Sequence, residues 1–170
     1  IEPLNSYRLK ERQPDNLGEF QLKIGKVEFI KKGIDITVVS YGSTLRIVEK
    51  ASVKLEKHDI SIELIDLQAL IPFDIDNEIS QSVQKTNKLL IIDEDYPGGA
   101  SSYILNKVLN EQDAFKFLDS KPETLTAKEH RPPYGTDGDY YSKPSIDDVF
   151  EKIYKIMKEY NPDKYKLDLG

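Results

Sequence analysis

The sequence contains no cysteine and no tryptophan, and its only methionine is Met157. Without cysteine the chain has no disulfide framework, no thiolate nucleophile and no cysteine-ligated zinc or iron-sulfur site. This composition fits a reducing compartment, so the cytoplasm is the expected location. Because a chain that begins at Ile1 lacks an initiating methionine, we expect it to be processed or to be an excised part of a longer polypeptide.

Long apolar runs and clustered positive charge are also missing. Every apolar run is far shorter than the roughly 20 residues of a membrane-spanning helix, and no signal-peptide pattern opens the chain. The formal net charge of -6 argues against nucleic-acid binding, which depends on clustered Lys and Arg. A chain of 170 residues can bury its own core, so we expect one soluble domain with no membrane or nucleic-acid partner.

Three segments with different patterns divide the chain. Residues 1–24 are polar, contain two prolines and lack periodicity, which predicts an extended arm or linker. Residues 25–160 alternate between apolar runs and amphipathic stretches, as a folded domain does. Residues 161–170 are predicted to form a polar tail.

Short apolar runs bounded by turn residues predict the strands. Residues 26–32 alternate between apolar and polar side chains and lie between Gly25 and Gly33, which predicts an edge strand. Continuous apolar runs are typical of parallel strands that are buried on both faces. Four such strands are predicted, at 34–41, 60–65, 88–92 and around 124–127.

Amphipathic helices are predicted between the strands from apolar residues at helical spacing. The first ends at His58, which is interpreted as a surface or cap residue. The second is predicted to start at 72–74 with Asp74 as its cap, and the last is capped by Ser145 with Asp148. The predicted inward-facing residues are Ile47, Val48, Ala51 and Leu55 in the first helix, Ile75, Ile79 and Val83 in the second, Ile104, Leu105, Val108 and Leu109 in the third, and Ile146, Val149, Phe150, Ile153 and Met157 in the last.

Strands that alternate with helices predict the fold class α/β. We expect a three-layer α/β/α arrangement, with a mostly parallel sheet, helices on both faces and right-handed crossovers. In such sheets, ligands bind outside the carboxyl ends of the strands. The residues at those ends are Tyr41-Gly42-Ser43, Asp66, Asp93-Glu94-Asp95 and Glu129-His130-Arg131.

The segment IIDEDYPGGASS places Gly98 and Gly99 between a strand and a helix, where phosphate-binding loops often lie. The acids Asp93, Glu94 and Asp95 would repel a phosphate there, and the segment has neither a Walker lysine nor the GxGxxG pattern. We therefore favour a tight corner, in which the glycines permit a turn and close helix-to-strand contact. A site for a hard cation at the three acids is the weaker alternative, because their spacing matches no EF-hand loop.

The loop HRPPYGTDGDYYSKPS, residues 130–145, is long and irregular. Loops of this kind are usually functional or interfacial. His130 is a candidate general acid or base because of its residue type. However, Ser43 lacks the G-x-S-x-G context of a nucleophile, so a structural histidine stacked on the prolines and tyrosines is favoured.

Four motifs occur in a recognisable order over about residues 20–160: GKVEFIKKGIDITVVSYGSTLRIVEKAS, ISIELIDLQALIPFDID, SVQKTNKLLIIDEDYPGGASSYI, and the proline-rich loop before SIDDVFEKIYKIM. Together they resemble the C-terminal domain of the beta subunit of thiamine diphosphate-dependent 2-oxo acid dehydrogenases, the decarboxylating first components of the pyruvate and branched-chain complexes. The resemblance implies a transketolase C-terminal domain-like fold. Its mixed five-stranded sheet has the order 1-3-2-4-5, with the first strand antiparallel.

The resemblance also implies how the chain is used. In the family, the cofactor lies between a pyrophosphate-binding domain and a pyrimidine-binding domain, and both precede the C-terminal domain. Residues 1–24 would then be the arm from the pyrimidine-binding domain. This chain would bind no cofactor and no metal and have no catalytic residue, while thiamine diphosphate and Mg would belong to the parent enzyme. The implied partners are the N-terminal thiamine-binding domains, a second copy across a two-fold axis, and the acyltransferase component.

Two features depart from the family pattern. Gln68 stands where members often have Arg, and the loop is longer than in the better-known complexes. The longer loop points to a bacterial branch with fused alpha and beta sections.

Seven residues are expected to make contacts between domains and subunits. They are Glu94, Gly98, Gly99, His130, Arg131, Tyr134 and Asp137.

Two other functions stay open at this stage. The same domain could come from a transketolase, a deoxyxylulose-phosphate synthase or a ferredoxin-linked 2-oxo acid oxidoreductase. Alternatively, the chain could be a free-standing module that binds a nucleotide or anion at Gly98-Gly99.

Overall fold

A computed structural model describes residues 7, 10, 12–131, 133–135 and 138–167. Within them, one mixed sheet is covered by helices on both faces. A π-helical turn at Lys107–Glu111 extends the third helix, and a 3-10 turn follows at Ala114–Phe117. The strands are β1 Glu28–Lys31, β2 Ile36–Ser40, β3 Ile62–Asp66, β4 Leu89–Ile92 and β5 Glu123–Leu125, and the helices are α1 Thr44–Glu56, α2 Glu78–Thr86, α3 Ala100–Asn106, α4 Gly138–Ser142 and α5 Ile146–Tyr160.

The sheet has the order β1-β3-β2-β4-β5. Strand β1 is antiparallel to β3, whereas β2, β3, β4 and β5 are parallel to one another. The predicted order and the antiparallel first strand are both confirmed. The carboxyl ends of β2, β3, β4 and β5 lie on one side of the domain, and we call this side of the sheet the C-terminal edge. Because Glu28, at the start of β1, lies opposite Asp66, at the end of β3, the chain enters the domain at this same edge.

Successive residues of the central strands enter two different cores, as the alternation of side chains along a strand requires. Val38 packs with the helices α1 and α5 on one face of the sheet, and Val39 packs with α2 and α3 on the other. Both valines are fully buried. The predicted three layers are therefore confirmed, and the mostly apolar character of the central strands is explained by burial on both faces.

A polar network joins α2 to the sheet. The Thr37 hydroxyl lies 2.6 Å from the Ser82 hydroxyl and 2.7 Å from that of Thr86. On the neighbouring strand, the buried carboxylate of Glu63 pairs with Lys85 and accepts the Gly33 N–H at 3.3 Å. These contacts satisfy the polar groups that would otherwise be costly under the helix.

Helix α5 begins and ends at defined contacts. The Ser145 hydroxyl accepts the Asp148 N–H at 3.2 Å, and the Asp148 carboxylate accepts the Ser145 N–H at 2.8 Å. This capping box confirms the predicted start. At the other end, the Lys88 ammonium lies 3.5 Å from the ring centre of Tyr160. Since Lys88 precedes β4, the end of α5 lies at the edge opposite the C-terminal edge.

The start of α2 differs from the prediction. The helix begins at Glu78, and Ile75, predicted to face inward, is 52% exposed. Phe73 packs toward the core instead, with its ring 6.2 Å from that of Tyr103. The N-cap is Asn77 and not the predicted Asp74. The buried Asp74 carboxylate still satisfies the start of the helix, because it accepts the N–H groups of Glu78 at 3.0 Å and Ile79 at 2.9 Å.

The interpretation of His58 as a surface or cap residue was wrong. Its ring is half-buried and packs 5.4 Å from the ring of Phe150 and 5.5 Å from that of Tyr154. The chain turns sharply after α1, and this turn places the imidazole against α5. His58 is therefore part of the packing between the two helices.

The expected arm is largely exposed where it can be described. Residues 12–24 lie on the surface apart from the half-buried Leu22, with a turn at 15–19. Within the described part of the chain, no helix has both the length and the apolar character needed to cross a bilayer.

Lys85→Gln is expected to lower the free energy of unfolding by about 1–3 kcal/mol at pH 7, because Glu63 stays buried without its counter-charge. Burial acts most strongly on Glu63 and would raise its pKa, but Lys85, Ser82 and the Gly33 N–H together bring the pKa below its ordinary value of 4.5. A carboxyl whose pKa is lowered by folding stabilises the fold above the unfolded pKa, and this stabilisation disappears as the pH falls through the folded pKa.

Urea unfolding should therefore show a gap between the wild type and Lys85→Gln that shrinks as the pH falls below 4.5. The control is Lys116→Gln, which removes an exposed pair with Asp113 and should cost less than about 0.5 kcal/mol. Equal stability of Lys85→Gln and the wild type at pH 7 would contradict the expected role of this pair.

Candidate functional site at the C-terminal edge

The buried carboxylate of Asp93, directly after β4, accepts three hydrogen bonds. The Tyr41 hydroxyl donates at 2.6 Å, the Asp95 N–H at 2.9 Å and the Ser101 N–H at 3.0 Å. Ser101 lies in the first turn of α3, whose free N–H groups attract negative charge. The protein's own carboxylate thus occupies the place that a phosphate would need.

The Tyr41 hydroxyl is held as a donor at this edge. Burial, followed by the hydrogen bond to Asp93, raises the pKa of Tyr41 above its ordinary value of 10.0. The phenol therefore stays protonated, and it donates its proton to the Asp93 carboxylate. The contact joins the end of β2 to the end of β4.

Glu94 links the same edge to the segment before α5. The Ser43 hydroxyl donates to its carboxylate at 3.0 Å, and the Lys143 ammonium lies 3.3 Å away. A backbone hydrogen bond from the Ala127 N–H to the Asp95 carbonyl, at 3.0 Å, adds the chain that follows β5. Glu94, predicted to be an interface residue, thus has partners within its own domain.

The two glycines of the corner have different roles. Gly98 has a φ of +92°, and a Cβ on it would meet nothing within 4 Å. Gly99 has a φ of -75°, but a Cβ on it would lie 2.7 Å from an Asp95 oxygen and 3.1 Å from the Tyr96 carbonyl oxygen. The left-handed residue of the corner is therefore Gly98, whereas Gly99 is required for close contact.

We call residues 128–143 the tyrosine loop. The exposed His130 ring lies 5.3 Å from that of Tyr141, with the two rings tilted by 40°. The Lys128 ammonium lies 4.0 Å from the centre of the Tyr141 ring. Arg131 donates a hydrogen bond to the Tyr134 hydroxyl, and its guanidinium carbon lies 4.9 Å from the Tyr134 ring centre. Asp137, also predicted as an interface residue, lies outside the described residues.

Four tyrosine rings are exposed on and beside this loop. Tyr134 is 86% exposed, Tyr140 65%, Tyr141 56% and Tyr96 54%. Their exposure contrasts with the buried Asp93 beneath the same edge. The corner and the tyrosine loop are adjacent, because Tyr96 interacts with Glu129 and Glu94 pairs with Lys143.

Sequence reasoning missed the role of Tyr41 and treated Asp93 as an acid that repels a phosphate or, less favoured, binds a cation. The end of β3 also carries a carboxyl group, Asp66, whose pKa is raised by burial and which accepts the Gln68 N–H at 3.3 Å. Among the described residues, no group of three or more His, Cys, Asp or Glu side chains is placed to hold a metal ion.

Tyr41→Phe is expected to lower the free energy of unfolding by about 1.5–3 kcal/mol, because a hydrogen bond to a buried, charged carboxylate is lost. Tyr160→Phe is the matched control, since this exposed tyrosine should change stability by less than about 0.5 kcal/mol. Urea unfolding at pH 7 measures both. A similar small effect for the two variants would show that Asp93 does not depend on the Tyr41 hydroxyl.

Gly98→Ala should cost about 1–2 kcal/mol, because an L side chain is strained in the left-handed backbone even where space is free. In Gly99→Ala the cost should arise mainly from contact with the Asp95 carboxylate instead, so Asp95→Ala in the same chain should recover part of it. The test is thermal unfolding of the single and double variants. Recovery of Gly98→Ala by Asp95→Ala would contradict the distinction between the two glycines.

Comparison with known proteins agrees with this architecture. The family model described as the transketolase C-terminal domain matches residues 25–145. The pyruvate dehydrogenase E1 component subunit beta of Acholeplasma laidlawii is 33% identical over 159 residues, which are 93% of this chain and 47% of that protein. The subunit of the same name from Rhizobium meliloti is 33% identical over 141 residues, which are 82% of this chain and 30% of that protein.

Two solved structures share the fold at low identity. A split-gene transketolase, in an inactive beta4 tetramer, aligns with a TM-score of 0.62 at 20% identity, over 81% of this chain and 44% of that one. A 2-oxoglutarate:ferredoxin oxidoreductase from Magnetococcus marinus aligns with a TM-score of 0.51 at 15% identity, over 83% of this chain and 21% of that one. This chain spans at most about half the length of these relatives. The sheet order and the match over residues 25–145 agree, and the chain belongs to the transketolase C-terminal domain family.

Proposed function

We propose that this chain is the C-terminal assembly domain of the decarboxylating component of a thiamine diphosphate-dependent 2-oxo acid dehydrogenase, in its beta section. It contributes surface for subunit association across a two-fold axis and for docking of the acyltransferase component. The relatives named pyruvate dehydrogenase E1 component subunit beta, at 33% identity over most of this chain, support this assignment.

The observation that carries the proposal is the exposed tyrosine loop above an internally satisfied strand edge. Tyr and Arg are enriched in the energetically important centres of protein interfaces. Here Tyr141 and Tyr134 are each held by a neighbouring cation, so the rings are partly ordered before a partner arrives. Pre-ordering reduces the entropy lost on association.

The residues of the corner do not fit the pyrophosphate of the cofactor. The Ser101 N–H, at the start of α3, already donates to the Asp93 carboxylate, and Glu94 and Asp95 add negative charge beside it. We therefore assign thiamine diphosphate and Mg to other parts of the parent enzyme. The same observation disfavours a free-standing nucleotide- or anion-binding module.

The second candidate is the same domain in a transketolase, a deoxyxylulose-phosphate synthase or a ferredoxin-linked oxidoreductase. The two solved structures of such enzymes share the fold with this chain at 20% and 15% identity. The higher identity of the dehydrogenase subunits favours the dehydrogenase.

Tyr134→Ser in the full-length component is expected to weaken the complex with the acyltransferase component at least about tenfold, because truncation of an interface anchor typically costs 2 kcal/mol or more. Tyr160→Ser, an exposed tyrosine on α5, is the control and should leave the affinity unchanged. Sedimentation velocity measures both the affinity and the subunit composition. Equal binding by both variants, with unchanged subunit composition, would refute the role of the tyrosine loop.

The assignment of the chemistry to other domains has its own test. The 170-residue chain, supplied with thiamine diphosphate, Mg and a labelled 2-oxo acid, should release carbon dioxide only at the background rate. The full-length component is the positive control. Release by the 170-residue chain above background would overturn the proposal.

A further inference from the structure

Three isoleucines are exposed together on the side of the domain where the chain enters. Ile24 is 79% exposed, Ile71 82% and Ile75 52%, and the exposed Pro72 lies between the last two in sequence. We call these four residues the isoleucine patch. Single exposed apolar residues are ordinary, but several side by side on a surface mark an interaction site.

The patch is held in place by contacts to the start of the domain. The Ile75 N–H donates to the Gly25 carbonyl at 2.9 Å. A Cβ on Gly25 would lie 2.7 Å from Pro72 and 3.0 Å from Ile75, so the two segments are in direct contact. The next residue, Lys26, forms an ion pair with Asp76.

The loop that carries Ile71 and Ile75 is also anchored from beneath. Leu70 and Phe73 pack against the core, and the Tyr103 hydroxyl donates to the Leu70 carbonyl at 3.3 Å. The isoleucines therefore remain exposed on a fixed support. A surface that is ordered in advance loses little entropy when it is covered.

The isoleucine patch and the tyrosine loop both lie at the C-terminal edge, but on opposite sides of the sheet. The patch lies where β1 starts and β3 ends, whereas the tyrosine loop follows β5. With strands about 4.8 Å apart, the four steps from β1 to β5 separate the two ends by about 19 Å. One partner domain covering the patch would leave the tyrosine loop available.

We propose that the isoleucine patch is the docking surface for the part of the same polypeptide that precedes this domain. The inference rests on the proposed function, in which this is the C-terminal part of a longer subunit. The chain reaches the domain at the patch itself, since Ile24 is a member of it. The relatives are about twice as long as this chain, and the matching family is a C-terminal domain, so their additional length precedes it.

The area of the patch favours a tethered occupant over a second copy. Three isoleucines and a proline expose on the order of a few hundred Å² of apolar surface. A stable complex between separate proteins buries about 800 Å² on each partner. A domain joined through residues 12–24 is present at an effective concentration in the millimolar range, so a small apolar contact suffices to hold it.

The test uses the full-length polypeptide with one introduced cysteine at a time: Ile71→Cys, the control Val53→Cys, and Tyr134→Cys as the reporter of the tyrosine loop. Val53 is 57% exposed on α1 and lies outside the patch. Maleimide labelling is followed at the peptide level by mass spectrometry, and each rate is divided by the rate in urea-unfolded protein. The expected result is labelling at position 71 at least about tenfold slower than at position 53.

Equal labelling at positions 71 and 53 overturns the inference, even if position 134 becomes protected when the acyltransferase component binds. That pattern would leave the proposed function intact. If position 134 is labelled rapidly in the assembled complex while position 71 is protected, only the proposed function is contradicted. A photo-crosslinker at position 71 separates the occupants: a product of monomer mass with peptides that precede residue 1 supports the inference, and a product of dimer mass overturns it.

Discussion

The hydrogen bonds to the buried carboxylate of Asp93 hold the C-terminal edge together. A buried charge is costly unless it is compensated by donors, and Asp93 is compensated from three segments: the end of β2, its own turn and the first turn of α3. The same contacts fix the corner at Gly98 and Gly99. Because the carboxylate at the start of α3 belongs to the domain itself, this strand edge does not fit a bound anion.

Much of the fold could be predicted from the sequence because the signals were local. The alternation at 26–32 and the continuous apolar runs indicated an edge strand and buried strands, and Ser145 with Asp148 indicated the start of α5. The order and direction of the strands came from the resemblance to a family. The predicted start of α2 was wrong because apolar spacing alone does not show which of two nearby apolar residues is buried. Phe73 packs against the core, and Ile75 is exposed.

The site was harder to predict because its contacts are distant in sequence. Tyr41 and Asp93 are separated by 52 residues, and only the parallel pairing of β2 with β4 brings them together. Composition did identify the corner and the tyrosine loop as unusual. It could not show that the left-handed residue is Gly98, since either glycine of the pair permits such a backbone. His58 was misread because the segment after α1 offers no local signal of its packing against α5.

The antiparallel β1 brings the chain in at one edge of the sheet, and α5 carries it to the other. The segment after α5 starts near that second edge, where the Lys164 ammonium donates to the Asp59 carbonyl at 3.4 Å. It then runs back along α5, where the Leu167 N–H donates to the Tyr154 hydroxyl at 3.0 Å. An affinity tag or fluorescent protein joined beyond residue 167 would therefore start beside α5 and not at the C-terminal edge. A sensor surface that captures the protein through such a tag would present both surfaces to solution, whereas a tag joined ahead of the arm would stand beside them.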